Sequence, residues 1–338
     1  MLLVFFAFSF GIVRVSAQTT DQPKLNVGIL IFNGVQIIDY TGPYEVLGSR
    51  GRRNVFTVAE KADAIATNMG MKVVPNYSFD NHPKIDILVL PGGGNILSGP
   101  QGRAVGTQLD NPKLMKWVQD NAATAKYVMS VCNGAFFLAK AGLLENMPAT
   151  TTAGFISSLQ KFSPTTKPVY NKRFVDNGKI ITTAGLTSGI DGAIHLIEKL
   201  DGPGWAKYIA LGIEYNWQPD SDFSRASLAD VKLPNSLGNV LTQTSVPLDM
   251  HGTKTEWEEK WTITSEASPA DVLASLEKDW ATETGWSKTG SEKSRTNWKL
   301  TEKTGEIWSG WATVEPASEN GKLIVSFGIT AQGKKAAE

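Results

Sequence analysis

The stretch Tyr127 to Gly142, YVMSVCNGAFFLAKAG, passes from an extended apolar pattern into a helical one within a few residues. Tyr127 to Val131 reads as a strand, and a helical pattern opens at Ala135. Cys132, the single cysteine of the chain, stands at the break, followed by Asn133 and Gly134. A strand that turns abruptly into a helix holds the turn residue in a tight backbone and pushes its side chain clear of the sheet. That is a nucleophile elbow, built here on sulfur. Amide N–H groups at the helix start face the thiol, and their partial positive charge is expected to favour thiolate. The competing reading is an inert core cysteine, since free cysteines are often fully buried. The strand–Cys–Asn–Gly–helix context favours the nucleophile.

Outward from this stretch, the chain repeats the same strand-then-helix unit. Lys24 to Phe32 (KLNVGILIF) is nearly continuous in apolar residues, as expected of a strand covered on both faces. Gly42-Pro43 then reads as a helix start, which puts Asp39 just before a helix at the carboxyl end of the first strand unit. A helix-terminal anion or turn residue is the plainer role for Asp39. Asn54 to Ala59 is a second strand, Lys72 to Pro75 with Tyr77 to Phe79 an added extended segment, and Ile85 to Leu90 a third core strand. The last of these ends in Pro91-Gly92-Gly93-Gly94-Asn95, a turn whose glycines present free N–H groups. It has neither the spacing of a dinucleotide fingerprint nor the lysine of a phosphate loop. Pro112 to Ala123 is an amphipathic helix leading into the cysteine strand, and Phe155 to Phe162 an interrupted helical segment. Arg173 to Thr183 reads as a hairpin around Asp176-Asn177-Gly178, followed by a helix from Ile190 to Leu200. Strands alternating with helices over 24–223 predict a doubly wound, mostly parallel α/β sheet of flavodoxin-like type, with ligands at the carboxyl ends of its strands. Asp39, Gly92-Gly93 and Cys132 all fall at such ends.

Composition narrows the function classes. Lysine plus arginine equals aspartate plus glutamate at 33 each over 338 residues, so no basic surface points to nucleic acid. Met1 to Val13 is apolar, and Val15-Ser16-Ala17 fits a signal-peptidase site, so residues 1–17 are expected to be a signal peptide and the mature chain exported, to a periplasmic or extracellular location. A run of about 12 apolar residues is too short to span a bilayer, and no stable membrane anchor is expected. A lone cysteine in an exported chain leaves a free thiol in place of a disulfide framework.

Residues 224–247 are irregular and polar and read as a linker. From 248 to 333 the character changes, with seven of the ten tryptophans between Trp257 and Trp311. Lys254 to Thr264 is a strand, and Ser268 to Asp271 carries a capping-box pattern opening a helix whose apolar face holds Val272, Leu273, Leu276 and Trp280. Further strands are expected around Thr296 to Thr301, Ile307 to Val314 and Leu323 to Ile329, giving a small β-α-β-β-β domain of α+β type. A tryptophan stripe on a strand is more often core packing than a ligand platform.

VGILIFNGVQIIDYTGPYEVLG, the PGGG turn, VCNGAFFLAKAGLL, VDNGKIITTAGLTSGIDGAIHLI and ALGIEYNWQP occur in that order. Together they resemble the DJ-one/PfpI superfamily, which has the class I glutamine-amidotransferase-like fold, and within it the branch of isonitrile hydratase and of sensor domains of AraC-type regulators. The resemblance covers about Lys24 to Phe223. It implies that Cys132 is the nucleophile and that Asp39, in the D-x-T-G-P motif, is the acidic partner of its thiol. It further implies that the amides of Gly93 and Asn133 form an oxyanion hole, that Gly92 and Thr152 line the substrate site, and that the protein forms a homodimer. Isonitrile hydratases carry threonine where Asn133 stands, and many superfamily members carry histidine where Thr152 stands.

The three histidines, His82, His195 and His251, include no evident general base, and no His/Asp/Glu spacing suggests a metal site. No cofactor is expected. Without a histidine a peptidase triad is disfavoured, whereas a Cys–Asp dyad suits thiolate addition to an electrophilic carbon of a small molecule. The leading expectation is therefore a cysteine-dependent hydratase (lyase) or amidohydrolase acting on C–N bonds. The alternative is a non-enzymatic ligand-binding or redox-sensing module of the same superfamily, the latter through oxidation of Cys132.

Overall fold

A computed structural model describes residues 24–94, 108–221, 223–234, 237, 240–241, 245–282, 285–292, 294–302 and 304–332; the leader read at 1–17 and Asn95 lie outside them. In the first part the elements follow as β1 (Leu25–Leu30), α1 (Ile37–Gly48), β2 (Arg53–Ala59), β3 (Ile65–Ala66), β4 (Lys72–Val73), β5 (Tyr77–Ser78) and β6 (Ile87–Leu90). Next come α2 (Pro112–Thr124), β7 (Tyr127–Ser130), α3 (Ala135–Lys140), β8 (Pro148–Ala149), α4 (Ile156–Phe162), β9 (Lys167–Pro168), β10 (Phe174–Asp176), β11 (Ile180–Thr183), α5 (Ser188–Asp201) and α6 (Pro203–Gly212).

Seven of these strands form one sheet in the order β10-β11-β7-β6-β1-β2-β5. Every pairing in it is parallel except the β10–β11 hairpin at one edge. The apolar runs of β1, β6 and β7 occupy its centre, where Ile29, Leu88, Val89, Val128 and Met129 are fully buried. From β1 the chain winds outward through β2, and from β6 it winds the opposite way through β7. With right-handed crossovers that reversal sets α1 and α2 on opposite faces and opens a crevice above the β1–β6 boundary. Sequence-remote loops are thereby gathered at one rim.

Two local readings are revised. α1 starts at Ile37, so Asp39 lies inside its first turn and Pro43 lies within the helix instead of opening it. The proline cannot donate to the carbonyl of Asp39, yet the helix continues through it because Val46 and Leu47 beyond it are fully buried. α5 begins two residues before the expected Ile190.

The tryptophan-rich part contains β12 (Val246–Gly252), β13 (Glu256–Thr264), α7 (Pro269–Thr282), β14 (Trp286–Glu292), β15 (Arg295–Thr301), β16 (Ile307–Pro316) and β17 (Lys322–Gln332). Its six strands form an antiparallel sheet in the order β12-β13-β17-β16-β15-β14. The order is β-β-α-β-β-β-β, two strands more than the expected β-α-β-β-β. β12 begins inside the stretch read as a linker, and its residues are all exposed, so no burial alternation announced it. Both outer strands are bulged, with Leu248 the extra residue on β12 and Thr289 on β14. The capping box at α7 forms as expected: Asp271 N–H donates to Ser268 Oγ at 3.2 Å, and the Asp271 carboxylate accepts from Ser268. Trp280 of α7 stacks on Trp298 with ring centroids 4.3 Å apart, and both are buried. On β13, Trp257, Glu259 and Trp261 share a face by the two-residue period. Glu259 is 8% exposed there and accepts from both indoles, at 2.9 and 2.8 Å. The described part of 224–247 is not bare connector: Ala229 and Leu237 belong to this second core, and Ala229 N–H donates to Thr253 O at 2.9 Å.

Candidate active site

Cys132 heads a 3-10 turn (Cys132–Gly134) between β7 and α3, and its φ of 55° lies in the left-handed region. For a non-glycine residue that conformation costs on the order of 1–3 kcal/mol and persists only where the surroundings enforce it. They do: Cys132 N–H donates to Ala184 O at 2.9 Å, and its carbonyl accepts from Thr151 Oγ1 at 2.7 Å. Gly134 completes the elbow, because a Cβ there would stand 2.0 Å from the carbonyl oxygen of Leu90. Cys132 as a residue is partly exposed.

β1, β6 and β7 are neighbours in the sheet, so the segments after them meet. A bridge between Val35 and Gly93, with Gln36 N–H donating to Gly92 O at 2.9 Å, ties the post-β1 loop to the glycine turn. Asp39 is 0% exposed, and its Oδ2 accepts the Gly92 N–H at 3.0 Å. The Cys132 thiol and the Leu186 amide stand close enough to act on this carboxyl, whose Oδ1 is buried without a hydrogen-bond partner. Thus the two groups expected to form a dyad are brought together.

Their electrostatics differ from expectation. Burial raises Asp39 from 3.8 to about 6, against the lowering effect of the Gly92 hydrogen bond and of Cys132 and Leu186. Burial, and after it the Asp39 charge, raises Cys132 from 9.0 to about 12, although the Asn133 N–H and the Thr152 hydroxyl favour thiolate. Burial outweighs the expected thiolate-favouring helix start, which belongs to a six-residue α3 entered through a 3-10 turn. The resting pair therefore holds its proton on sulfur, beside a carboxyl whose pKa lies within reach of neutrality.

The expected oxyanion pair is also corrected. Gly93 N–H donates to Asn133 Oδ1 at 2.8 Å, and Asn133 Nδ2 donates back to Gly93 O at 3.0 Å. The Gly93 amide is occupied, and of the two expected donors only the Asn133 N–H faces the sulfur. Gly92 acts through Asp39: a Cβ on it would meet Asn133 Oδ1 at 2.3 Å and Asp39 Oδ2 and Cys132 Cβ at 2.8 Å. The Thr152 hydroxyl lies beside the thiol.

Sequence reasoning passed over three contributors. Thr151 anchors the elbow from behind, and Leu186, with φ 53°, presents its amide to Asp39 from the turn after β11. The side chain of Asn133 is the third. A turn directly following a core strand adjacent to the cysteine strand was the signal for Leu186. The histidines stand apart from the thiol. His195 pairs with Asp176 at 2.9 Å and stacks on Phe174, while His82 accepts from Trp117 Nε1 at 2.8 Å. Among the described residues no cluster of His, Cys, Asp and Glu is arranged to hold a metal ion, and no helix is long and apolar enough to cross a membrane.

The DJ-1/PfpI family model matches residues 26–199, the stretch that carries all of this geometry. The chain belongs to the DJ-1/PfpI family. Within that family it is 33% identical over 199 residues to an isonitrile hydratase of Pseudomonas putida, covering 59% of this chain and 82% of the relative. It is 36% identical over 70 residues to an HTH-type transcriptional regulator of Mycobacterium tuberculosis, covering 21% of this chain and 24% of the regulator. Among solved structures, a THiJ/PfpI family protein from Pseudomonas syringae superposes with a TM-score of 0.52 at 25% identity, over 63% of this chain and 84% of that one. DJ-1/PfpI similarity thus covers the parallel-sheet part, and it includes both an enzyme and a regulator.

Proposed function

We propose that this protein is a hydratase of a small molecule with a carbon–nitrogen multiple bond, isonitriles being the model substrates, with Cys132 as nucleophile and Asp39 as proton carrier. The observation that carries the reading is the fully buried Asp39 carboxyl packed beside Cys132 across Gly92, with His82 and His195 engaged elsewhere. As sulfur attacks the terminal carbon of R–NC, Asp39 takes the thiol proton. It then delivers that proton to the same carbon, leaving the thioimidate R–N=CH–S–Cys. Water adds across C=N, its oxygen bonding to carbon and its proton going to nitrogen. The C–S bond then breaks, the thiol regains a proton and the formamide R–NH–CHO leaves. A carboxyl with a pKa of about 6 suits both halves of this relay.

The test is to incubate the protein with an aryl isonitrile, follow N-aryl formamide by chromatography and trap the Cys132 adduct by intact mass. Turnover that vanishes in Cys132→Ala supports the reading. Turnover that survives in Cys132→Ala, or its absence in the wild type, ends it. Saturable isonitrile binding without turnover points instead to a ligand-binding role. Redox sensing is less well supported, since a thiol raised to about 12 is a poor target for peroxide.

A further inference from the structure

We infer that the Asn133 side chain is a specificity-determining residue that, by engaging both backbone polar groups of Gly93, disfavours acyl transfer at Cys132. This rests on Cys132 being the reacting atom. Four backbone N–H groups surround the thiol and its acid: Gly92 donates to Asp39 Oδ2, Leu186 faces the same carboxyl, Asn133 faces the sulfur, and Gly93 donates to Asn133 Oδ1. Gly93 is fixed from the other side as well, the peptide that carries its N–H being held through Gly92 O by Gln36 N–H at 2.9 Å. The Gly93 carbonyl accepts Asn133 Nδ2, the residue bridges to Val35, and a Cβ on it would lie 2.4 Å from Gly34 O and 2.9 Å from Val35 Cα. A peptide so enclosed does not rotate to offer its N–H to a bound molecule.

The consequence differs between substrate classes. Attack on an ester or amide places negative charge on oxygen, which needs donors about 2.7–3.1 Å away, and loss of one such donor typically costs about 10²–10³ in rate. Attack on an isonitrile places the charge on the carbon that then receives a proton, and the group that serves it is the Asp39 acid. With Gly93 held, the site keeps its acid, and among the described residues no second N–H beside that of Asn133 is presented to the sulfur as an oxyanion donor.

The experiment compares two modifications of Cys132, both read by intact mass. p-Nitrophenyl acetate acylates sulfur through a tetrahedral oxyanion, releasing p-nitrophenolate. Iodoacetamide alkylates it by direct displacement of iodide, with no oxyanion. Their rate ratio cancels changes in thiol ionisation and access. In Asn133→Ala the ratio is expected to rise about tenfold or more, with hydrogen exchange at the Gly93 amide accelerated about a hundredfold. Asn133→Asp keeps an acceptor for the Gly93 N–H, and its ratio is expected to stay within about threefold of wild type. Should Asn133→Ala not fold, Asn133→Ser, whose hydroxyl is too short to engage both backbone polar groups of Gly93, carries the same expectation. An unchanged ratio with faster Gly93 exchange overturns the inference, as does an Asn133→Asp ratio that rises as far as that of Asn133→Ala. Failure of isonitrile turnover in the wild type sinks the hydratase reading and leaves this ratio, which needs no turnover, still measurable.

Discussion

The Gly92 amide donates to Asp39 Oδ2 at 3.0 Å, joining the turn after β6 to the first turn of α1 through a carboxyl with 0% exposure. This contact fixes the acid that faces Cys132, and it leaves no room for a larger residue at position 92. Gly92→Ala directs a Cβ into Asn133 Oδ1, Asp39 Oδ2 and Cys132 Cβ at once. Expected are a loss of about 1–3 kcal/mol in urea unfolding and a drop in isonitrile hydration of about 10²-fold or more. Gly154→Ala, with nothing within 4 Å of its Cβ, serves as the neutral control.

Asp39→Asn separates the two roles of the carboxylate. The charge of Asp39 contributes to raising the thiol, so its removal lowers the Cys132 pKa from about 12 and speeds alkylation by iodoacetamide at pH 8. The same change removes the proton carrier, so hydration falls by about 10²–10⁴-fold. Alkylation and turnover therefore move in opposite directions. A parallel fall in both identifies Asp39 as structural.

Stability carries the same signature. Asp39 holds its proton more tightly folded, at about 6, than its ordinary 3.8. Its contribution to folding is therefore fully present below 3.8 and is lost as pH rises through 6, where the buried carboxylate costs roughly 3 kcal/mol. Urea unfolding of the wild type and Asp39→Asn should accordingly show the variant gaining on the wild type between pH 4 and pH 8. A difference that is flat across this range contradicts the assignment.

In the second sheet, Glu259→Ala removes the acceptor of two indole N–H groups, those of Trp257 and Trp261. Each partly buried donor left unpaired costs about 1–3 kcal/mol, so the tryptophan-fluorescence midpoint of this sheet should fall clearly. Alkylation of Cys132 is expected to be unaffected, because Trp257 and Trp261 pack against the second hydrophobic cluster and Cys132 against the first.

The fold and the dyad were legible because their signals are local. Apolar runs ending in Asp39, Gly92-Gly93 and Cys132 mark strand ends, and the strand order of a doubly wound sheet places those ends together. What lay beyond the sequence depends on direction. A helix-opening pattern at Gly42-Pro43 disguised a proline inside a helix, because burial of Val46 and Leu47 outweighs one missing hydrogen bond. Asn133 was read as a backbone donor, while its side chain does more, since an amide on a tight turn can reach back to a glycine peptide 40 residues away. The thiol departs from the expected thiolate for a similar reason: helix amides are visible in the sequence, but the burial that overrides them exists only once the rim is assembled. β12, exposed along its whole length, left no alternation to read.

The tryptophan-rich sheet ends on each side in a strand with one residue too many, Leu248 on β12 and Thr289 on β14. An incoming strand from another copy would find hydrogen-bonding groups that fall out of step after a few residues, so edge-to-edge growth has no straight template to follow. A six-stranded sheet with tryptophans on four of its strands thereby carries, at both edges, a built-in obstacle to becoming the first layer of a fibre.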